Sequence, residues 1–469
     1  MVDLPPNPDV KMSEAKHVDL SRGPTDVRIA VIGNVDSGKS TMIGILTSGV
    51  LDDGRGSARS RIFRHNHERE NGRTSCASQH IMGFDSQLQP VHQPVSGSAS
   101  AKQTTRAWQA VLKQSDSIIT FIDLAGHEKY LKTTIGGLTG CFPDFAMIIC
   151  GANMGASKMT KEHLAVATAL DIPVFVVVTK VDMCPEEVLR HTLKQLFKML
   201  RSPVCGKMPK IMKKKKDCLS ILEVDPSLQR LCPVFLVSAV TGINMDKLNL
   251  FMSRLRSTTL WDPPTDDSKE EIDVDLHFGH GETVFEIDET FAVRGVGVVL
   301  SGTVTSGKMS VNQAMCLGPF SDGSFKYLLI RSVHAKRRPV EDAIAGESCS
   351  VSVRFKNVRE KVDRAHIRRG MVLVDEAHVP LPVTVFTAQV LVLHHPTTIK
   401  CNYEPVLHCG NIRQTVIIED MTEDALRSGD SAIITFRFKC RPEFLHKGRT
   451  LILREGNTKC LGKVLEIVR

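Results

Sequence analysis

Aromatic side chains make up only 5% of the 469 residues, with 2 tryptophans and 3 tyrosines. That excludes the stacking platform that single-strand nucleic-acid binders build from rows of rings. No apolar run is long enough to span a bilayer as a helix, and the opening MVDLPPNPDVKMSEAKHVDL lacks the apolar stretch of a secretory signal, so no membrane partner is expected and the cytoplasm is the expected compartment. The 13 cysteines are scattered singly from Cys76 to Cys460 without a C-x-x-C pair, which excludes a disulfide framework and a zinc ribbon. They are expected as reduced thiols. Neither sign of charge dominates: 60 Lys and Arg against 52 Asp and Glu leave +8, a mild basic excess that permits an RNA or ribosome partner without requiring one. There is no internal repeat of fixed period, and nothing in the sequence sets an oligomeric state.

What is present reads as several domains, since a chain of this length suggests about two to four. After a tail rich in Pro, Asp and Ser (1–25), VRIAVI opens a series of short apolar runs at Ile118–Ile122, Phe145–Cys150, Val174–Val178 and Val234–Val237. Helical stretches at Lys158–Leu170, Pro185–Leu200 and Met245–Leu255 alternate with them, a rhythm that predicts a mostly parallel sheet covered by helices over 26–262. DPPTDDSKEE after Trp261 reads as a linker. Beyond it RGVGVVLSGTVTSG, GESCSVSVRF and SAIITFRF are short β-branched runs broken by glycine, as in barrels or sandwiches. Stops at His378–Pro380 and Leu381-Pro382 divide this part into 273–378 and 381–469. The expected fold is multi-domain, α/β plus all-β.

Gly33-Asn34-Val35-Asp36-Ser37-Gly38-Lys39-Ser40 fits the P-loop pattern and falls between the first strand and the helix beginning near Thr41. Its backbone N–H groups and the helix N-terminus suit a β-phosphate, Lys39 would neutralise charge, and the Ser40 hydroxyl would ligate Mg²⁺. Asp123-Leu124-Ala125-Gly126-His127-Glu128 follows the second apolar strand and can face the same phosphates. Asp123 would hold Mg²⁺ through a water, the Gly126 amide would sense a γ-phosphate, and His127 is the catalytic candidate for orienting the attacking water. Thr179-Lys180-Val181-Asp182 ends a third strand, at the edge where open α/β sheets bind ligands. The Asp182 carboxylate can accept from guanine N1–H and the N2 amino group, a donor pair adenine lacks, while the Lys180 stem covers the base. Ser238-Ala239 follows a further strand and would set the Ala239 amide against guanine O6.

These four motifs in order resemble the translational GTPases, the superfamily of elongation factor Tu, over nearly the whole chain. The likeness is nearest to the eukaryotic GTP-binding protein 1 and 2 family, through GNVDSGKST, LDDGRGSAR, FRHNHERENGRTS, GFDSQ, DLAGHEKY, TKVDMCP and REGNTKCLG. The resemblance implies a P-loop GTPase domain followed by two β-barrels. It also implies GTP/GDP and Mg²⁺ as cofactors, GTP-controlled domain movement, and work with tRNA, mRNA or ribosomes. Thr74 matches the switch threonine that ligates Mg²⁺ in the GTP state, Val35 one side of the apolar gate beside the histidine, and Asp36 an acidic residue that some relatives use for a monovalent cation. Two positions depart from the elongation factor pattern. Thr179 stands where Asn is usual, losing an amide that braces the base and the P-loop, and Arg73 stands at the other gate position, where isoleucine is usual.

Between Thr47 and Arg106 the only element expected is a helix near Arg59–Glu70, in what reads as a nucleotide-switched segment. Arg55, Arg59, Arg61, Arg64 and Arg69 there are candidates for RNA phosphate contact, against a solvated loop as the alternative. His65, His67, Cys76 and His80 match no common zinc module. Lys213–Lys216 reads as a solvated loop or as a contact for ribosomal RNA or nuclear import, and Arg454-Glu455-Gly456 as a family element near a tRNA side or as an ordinary β-turn. Three functions are in view: a translational GTPase, a slow-hydrolysing GTP-dependent adaptor that recruits RNA-decay proteins, and a GTPase regulating a metabolic enzyme.

Overall fold

The computed structural model describes residues 25–63, 68, 74, 77–94, 101–257, 282–355, 364–456 and 458–469. The N-terminal tail, the linker after Trp261, and Arg64, His65, His67, Arg69, Arg73 and Cys76 lie outside the described residues. In the first domain the strands are β1 (Thr25–Gly33), β2 (Ser78–Phe84), β3 (Pro90–Val91), β4 (Ser117–Asp123), β5 (Phe145–Gly151), β6 (Val174–Thr179), β7 (Met208–Ile211) and β8 (Leu231–Leu236). They lie in the order β3-β2-β4-β1-β5-β6-β8-β7, parallel from β4 to β7 and antiparallel at β2 and β3.

The strands read as unbroken apolar runs because both faces of the sheet are covered. Val27, Ile29 and Val31 of β1 enter one core while Ala30 and Ile32 enter the other. In β5, Phe145, Met147 and Ile149 oppose Ala146 and Ile148 in the same way. Helix α1 (Lys39–Ser48) follows β1, and the short α2 (Ser57–Ser60) packs against it. Further helices are Ala101–Gln114, Leu131–Gly140, Lys158–Ala169, Glu186–Leu200, Lys215–Val224 and Met245–Ser253. No helix among the described residues is long and apolar enough to cross a membrane.

Two expectations need correction. The Thr47–Arg106 stretch is not structureless: β2 and β3 form an antiparallel edge, and a helix begins at Ala101. SQHIMGF carries three polar residues and a glycine, so pairing with β4 rather than local propensity makes it a strand. The basic run Lys213–Lys216 straddles a helix start: Lys213 and Lys214 precede the helix Lys215–Val224 that the last two lysines open, and the Asp217 carboxylate accepts from the Lys213 and Lys214 backbone N–H groups at 3.1 and 2.8 Å.

The second domain contains β9 (Val284–Val293), β10 (Gly297–Ser306), β11 (Lys308–Ser310), β12 (Ala314–Gly318), β13 (Lys326–Ala335), β14 (Arg338–Val340), β15 (Asp342–Ile344), β16 (Ser348–Phe355) and β17 (Val372–Asp375). The order β12-β17-β9-β10-β16-β13 closes through a β12–β13 pairing into a six-stranded barrel. The third is a closed barrel of β18 (Val385–His394), β19 (Val406–Cys409), β20 (Ile412–Met421), β21 (Ser431–Phe438), β22 (Thr450–Glu455) and β23 (Thr458–Ile467). Arg454-Glu455-Gly456 lies at the β22–β23 hairpin turn, with Gly456 at φ 53°.

Polar contacts join the domains. Arg28 of β1 donates to the Cys141 carbonyl at 3.2 Å and to the Gly346 carbonyl of the second domain. Arg369 donates to Asn411 Oδ1 in the third domain at 3.1 Å and to the Gly136 carbonyl in the helix after the DLAGH motif. Between the barrels, buried Glu443 accepts from Arg368 Nη1 at 2.6 Å and from Gln414 at 2.8 Å. Burial raises the Glu443 carboxyl while Arg368 and Arg441 oppose the rise. Arg368→Ala is expected to lower stability by about 3 kcal/mol, the lower end for a broken buried pair because Arg441 keeps one contact. Calorimetric unfolding measures it, and an unchanged melting temperature would show that the pair contributes nothing.

Candidate functional site

Gly33 ends β1, Asp123 ends β4, Thr179 ends β6 and Ser238 lies just beyond β8, so the four motifs meet at the carboxyl edge of the sheet. There β1 lies between β4 and β5, the strand-order reversal beside which open α/β sheets bind ligands. The P-loop curls so that Ser37 Oγ and Lys39 Nζ each donate to the Asn34 carbonyl at 2.8 Å. Gly38 caps α1 without a side-chain hydrogen bond, which leaves the first-turn amides for an anion. Burial pulls the Lys39 ammonium down to about 8, against the pull of Asp123 and Asp36. A polyphosphate would stabilise that buried charge.

Ser40 Oγ lies 2.8 Å from Thr74 Oγ1, and both hydroxyls donate to Asp123 Oδ2 at 3.1 Å. The other Asp123 oxygen is buried without a partner, and burial pushes this carboxyl up to about 6 against Lys39, Thr74 and Ser40. Two hydroxyls and an orphaned carboxylate oxygen form a hard-oxygen donor set that fits Mg²⁺. Among the described residues there is no cluster of three His, Cys, Asp or Glu that would suit another metal; His80 sits in β2, 2.9 Å from Ser78 Oγ.

Gly126 lies on the P-loop so closely that a Cβ there would stand 2.3 Å from Lys39 Nζ and 2.5 Å from the Gly33 carbonyl. His127 follows, half-buried, and its Nδ1 accepts from the Lys129 N–H at 3.1 Å. Val35, Thr41, Thr74, His127 and Arg59 line one cleft with Lys39. Arg59, read from the sequence as a candidate RNA phosphate contact or a solvated-loop residue, lines this cleft, which sequence reasoning did not anticipate.

At the base end, Asp182 is exposed and the Lys180 ammonium donates to the Asp36 carbonyl at 2.8 Å. Thr179 Oγ1 donates to the Ser37 carbonyl at 2.6 Å. The expected loss of the brace to the P-loop is thus corrected: the hydroxyl, reaching from the end of β6, supplies it where an amide is usual. Ser238 is buried, its Oγ accepts from the Val240 and Thr241 N–H groups at 3.2 and 3.0 Å, and the Ala239 carbonyl accepts from Asp52 N–H at 3.0 Å.

The Elongation factor Tu GTP binding domain profile matches residues 25–258. GTP-binding protein 1 of Xenopus laevis is 45% identical over 444 residues, 95% of this chain and 64% of its own length. GTP-binding protein 2 of Mus musculus is 38% identical over 94% of this chain and 69% of its own length. The chain therefore spans under two thirds of the frog relative. Translation elongation factor SelB from Methanococcus maripaludis, in complex with the GTP analogue GppNHp, shares the fold at a TM-score of 0.61 and 16% identity, over 95% of this chain and 80% of that one. With the P-loop, the DLAGH motif and the TKVD motif on one sheet edge, the chain belongs to the elongation factor Tu-type GTPases, in the GTP-binding protein 1 and 2 family.

Proposed function

We propose that this chain binds GTP with Mg²⁺, hydrolyses it, and couples the two nucleotide states to work with tRNA, mRNA or the ribosome, in the cytoplasm. The moving parts would be the domains at 26–262, 273–378 and 381–469. The observation that carries the reading is the meeting of Thr74, from the long segment after α1, with Ser40 and Asp123. A segment whose threonine touches the cation-binding hydroxyl and carboxylate is held by the same charge that hydrolysis removes, so GTP orders it and GDP releases it. Ser40, Thr74 and Asp123 would hold the Mg²⁺, which screens phosphate charge. Lys39 and the α1 amides bind the phosphates, the Gly126 amide meets the γ-phosphate, and Asp182 with the Ala239 amide fixes the base. The RNA partner rests on the elongation factors among the relatives and the mild basic excess.

A feature of His127 favours a second reading, the slow-hydrolysing adaptor acting with RNA-decay proteins. His127 Nδ1 accepts from the Lys129 N–H, so in this rotamer that ring nitrogen is engaged by the backbone rather than open to a proton of the attacking water. Turnover then awaits an activator that breaks the Lys129 contact. His127→Ala is expected to cut ribosome-stimulated hydrolysis about 10²–10⁴-fold with GTP affinity intact. Hydrolysis that ribosomes and tRNA do not stimulate, in wild type and variant alike, would leave the adaptor reading.

A further inference from the structure

The loop Leu51–Ser60 is built with more order than a solvated switch segment needs. Asp52 Oδ1 accepts from the Ala58 N–H at 2.8 Å and Oδ2 from the Gly54 N–H at 3.1 Å, while Asp53 Oδ1 accepts from the Arg55 and Ser57 N–H groups at 2.9 and 3.2 Å. Two consecutive carboxylates thus cap α2 and close the loop on itself. The element is anchored at both ends of the nucleotide site. Asp52 N–H donates to the Ala239 carbonyl of the base loop, and Ala58 is buried on Gly44 of α1 so tightly that a Cβ on Gly44 would stand 2.3 Å from the Ala58 carbonyl oxygen. The product of this framework is the direction of Arg59. Its side chain folds back across Gly56, lines the cleft with Asp36, Lys39, Gly126 and His127, and makes no ion pair among the described residues.

We propose that Arg59 is a catalytic arginine supplied in cis, whose guanidinium contacts the γ-phosphate and the β–γ bridging oxygen of GTP. The inference rests on the hydrolysis reading above and deepens it. In the reaction the oxygen of water bonds to the γ-phosphorus as the bond from that phosphorus to the bridging oxygen breaks. The electron pair stays on GDP, and the proton of the water ends on the phosphate. Negative charge moves toward the bridging oxygen in the transition state, where a planar guanidinium with parallel N–H donors stabilises it more than it stabilises ground-state GTP. His127 Nδ1 is held by the Lys129 N–H and gives no base to this step.

The test is hydrolysis at saturating GTP and Mg²⁺, without ribosomes, by wild type, Arg59→Ala, Arg59→Lys and His127→Ala, alongside GDP affinity and binding of GDP with aluminium fluoride. Arg59→Ala is expected to lose about 10²–10³-fold in kcat with KM and GDP affinity unchanged, and to lose the aluminium fluoride complex. Arg59→Lys keeps the charge without the fork and should recover only part. Wild-type kcat in Arg59→Ala overturns the proposal, as does a proportional fall in GDP and GTP affinity, which would mark a packing role. Hydrolysis intact with RNA binding lost would return Arg59 to a contact for RNA phosphates. If wild type does not turn over even when ribosomes and tRNA are added, the hydrolysis reading fails, and the aluminium fluoride arm still decides whether Arg59 meets the phosphates.

Discussion

Asp182→Asn is expected to move the preference of this chain from GTP toward XTP by about 10⁴-fold, the scale on which a site built for a hydrogen-bond pair rejects a ligand lacking it. Asp182 sits beyond the end of β6, exposed, beside Lys180, whose ammonium is tied to the Asp36 carbonyl and so covers one face of the base position. A carboxylate only accepts, which matches the N1–H and N2 amino donors of guanine. An amide keeps a carbonyl acceptor for N1–H but replaces the other acceptor with an NH2 group, which meets the guanine amino group donor to donor and instead pairs with the 2-carbonyl of xanthine. Because Asp182 is exposed, the exchange should leave the fold intact. Competition binding with the two nucleotides measures the switch, and GTP preference retained in the variant would mean the base is read elsewhere.

Lys39→Met should weaken GTP binding about 10²–10⁴-fold, the equivalent of breaking one buried charge pair at 1.4 kcal/mol per decade. The Lys39 ammonium is buried, held by the Asn34 carbonyl at 2.8 Å, and pulled down to about 8 by its own desolvation. It is therefore kept charged at a cost that only an anion recovers. Methionine keeps much of the stem volume and removes the charge, so unfolding should shift little while nucleotide affinity collapses. Titration with a fluorescent GTP analogue reads the affinity. Equal GTP binding by wild type and Lys39→Met would remove this cleft as the phosphate site.

Much of the site was legible because its parts are contiguous in sequence. GNVDSGKS follows an apolar run that only a two-sided buried strand explains, and DLAGH, TKVD and SA each follow another. Spacing within each motif fixes local backbone geometry, so neither the P-loop nor the TKVD turn needed tertiary information. The Ser40–Thr74–Asp123 meeting was reached only through family resemblance, since Thr74 stands in a stretch with no clear periodicity. Strand β2 was missed because its antiparallel pairing with β4, Ser78 with Asp123 at one end and Phe84 with Ser117 at the other, decides its conformation from far along the chain. The arginines of the long loop looked alike, and among the described ones, Arg55, Arg59 and Arg61, the Asp52 and Asp53 caps with the packing of Ala58 on Gly44 single out Arg59.

The sequence alone determined the domain order, the sheet edge that carries the chemistry, and the residues that would meet phosphate, magnesium and base. Apart from Thr74, which only the family resemblance supplied, the site residues among these lie in short motifs within reach of local backbone preference. The tertiary structure decided which hydroxyl braces the P-loop, which way the His127 ring is turned, which arginine enters the cleft, and how Arg369 ties the helix Leu131–Gly140 to the second and third domains. Those outcomes depend on contacts between segments tens to hundreds of residues apart, whose distances are set only once separately covered cores have packed together.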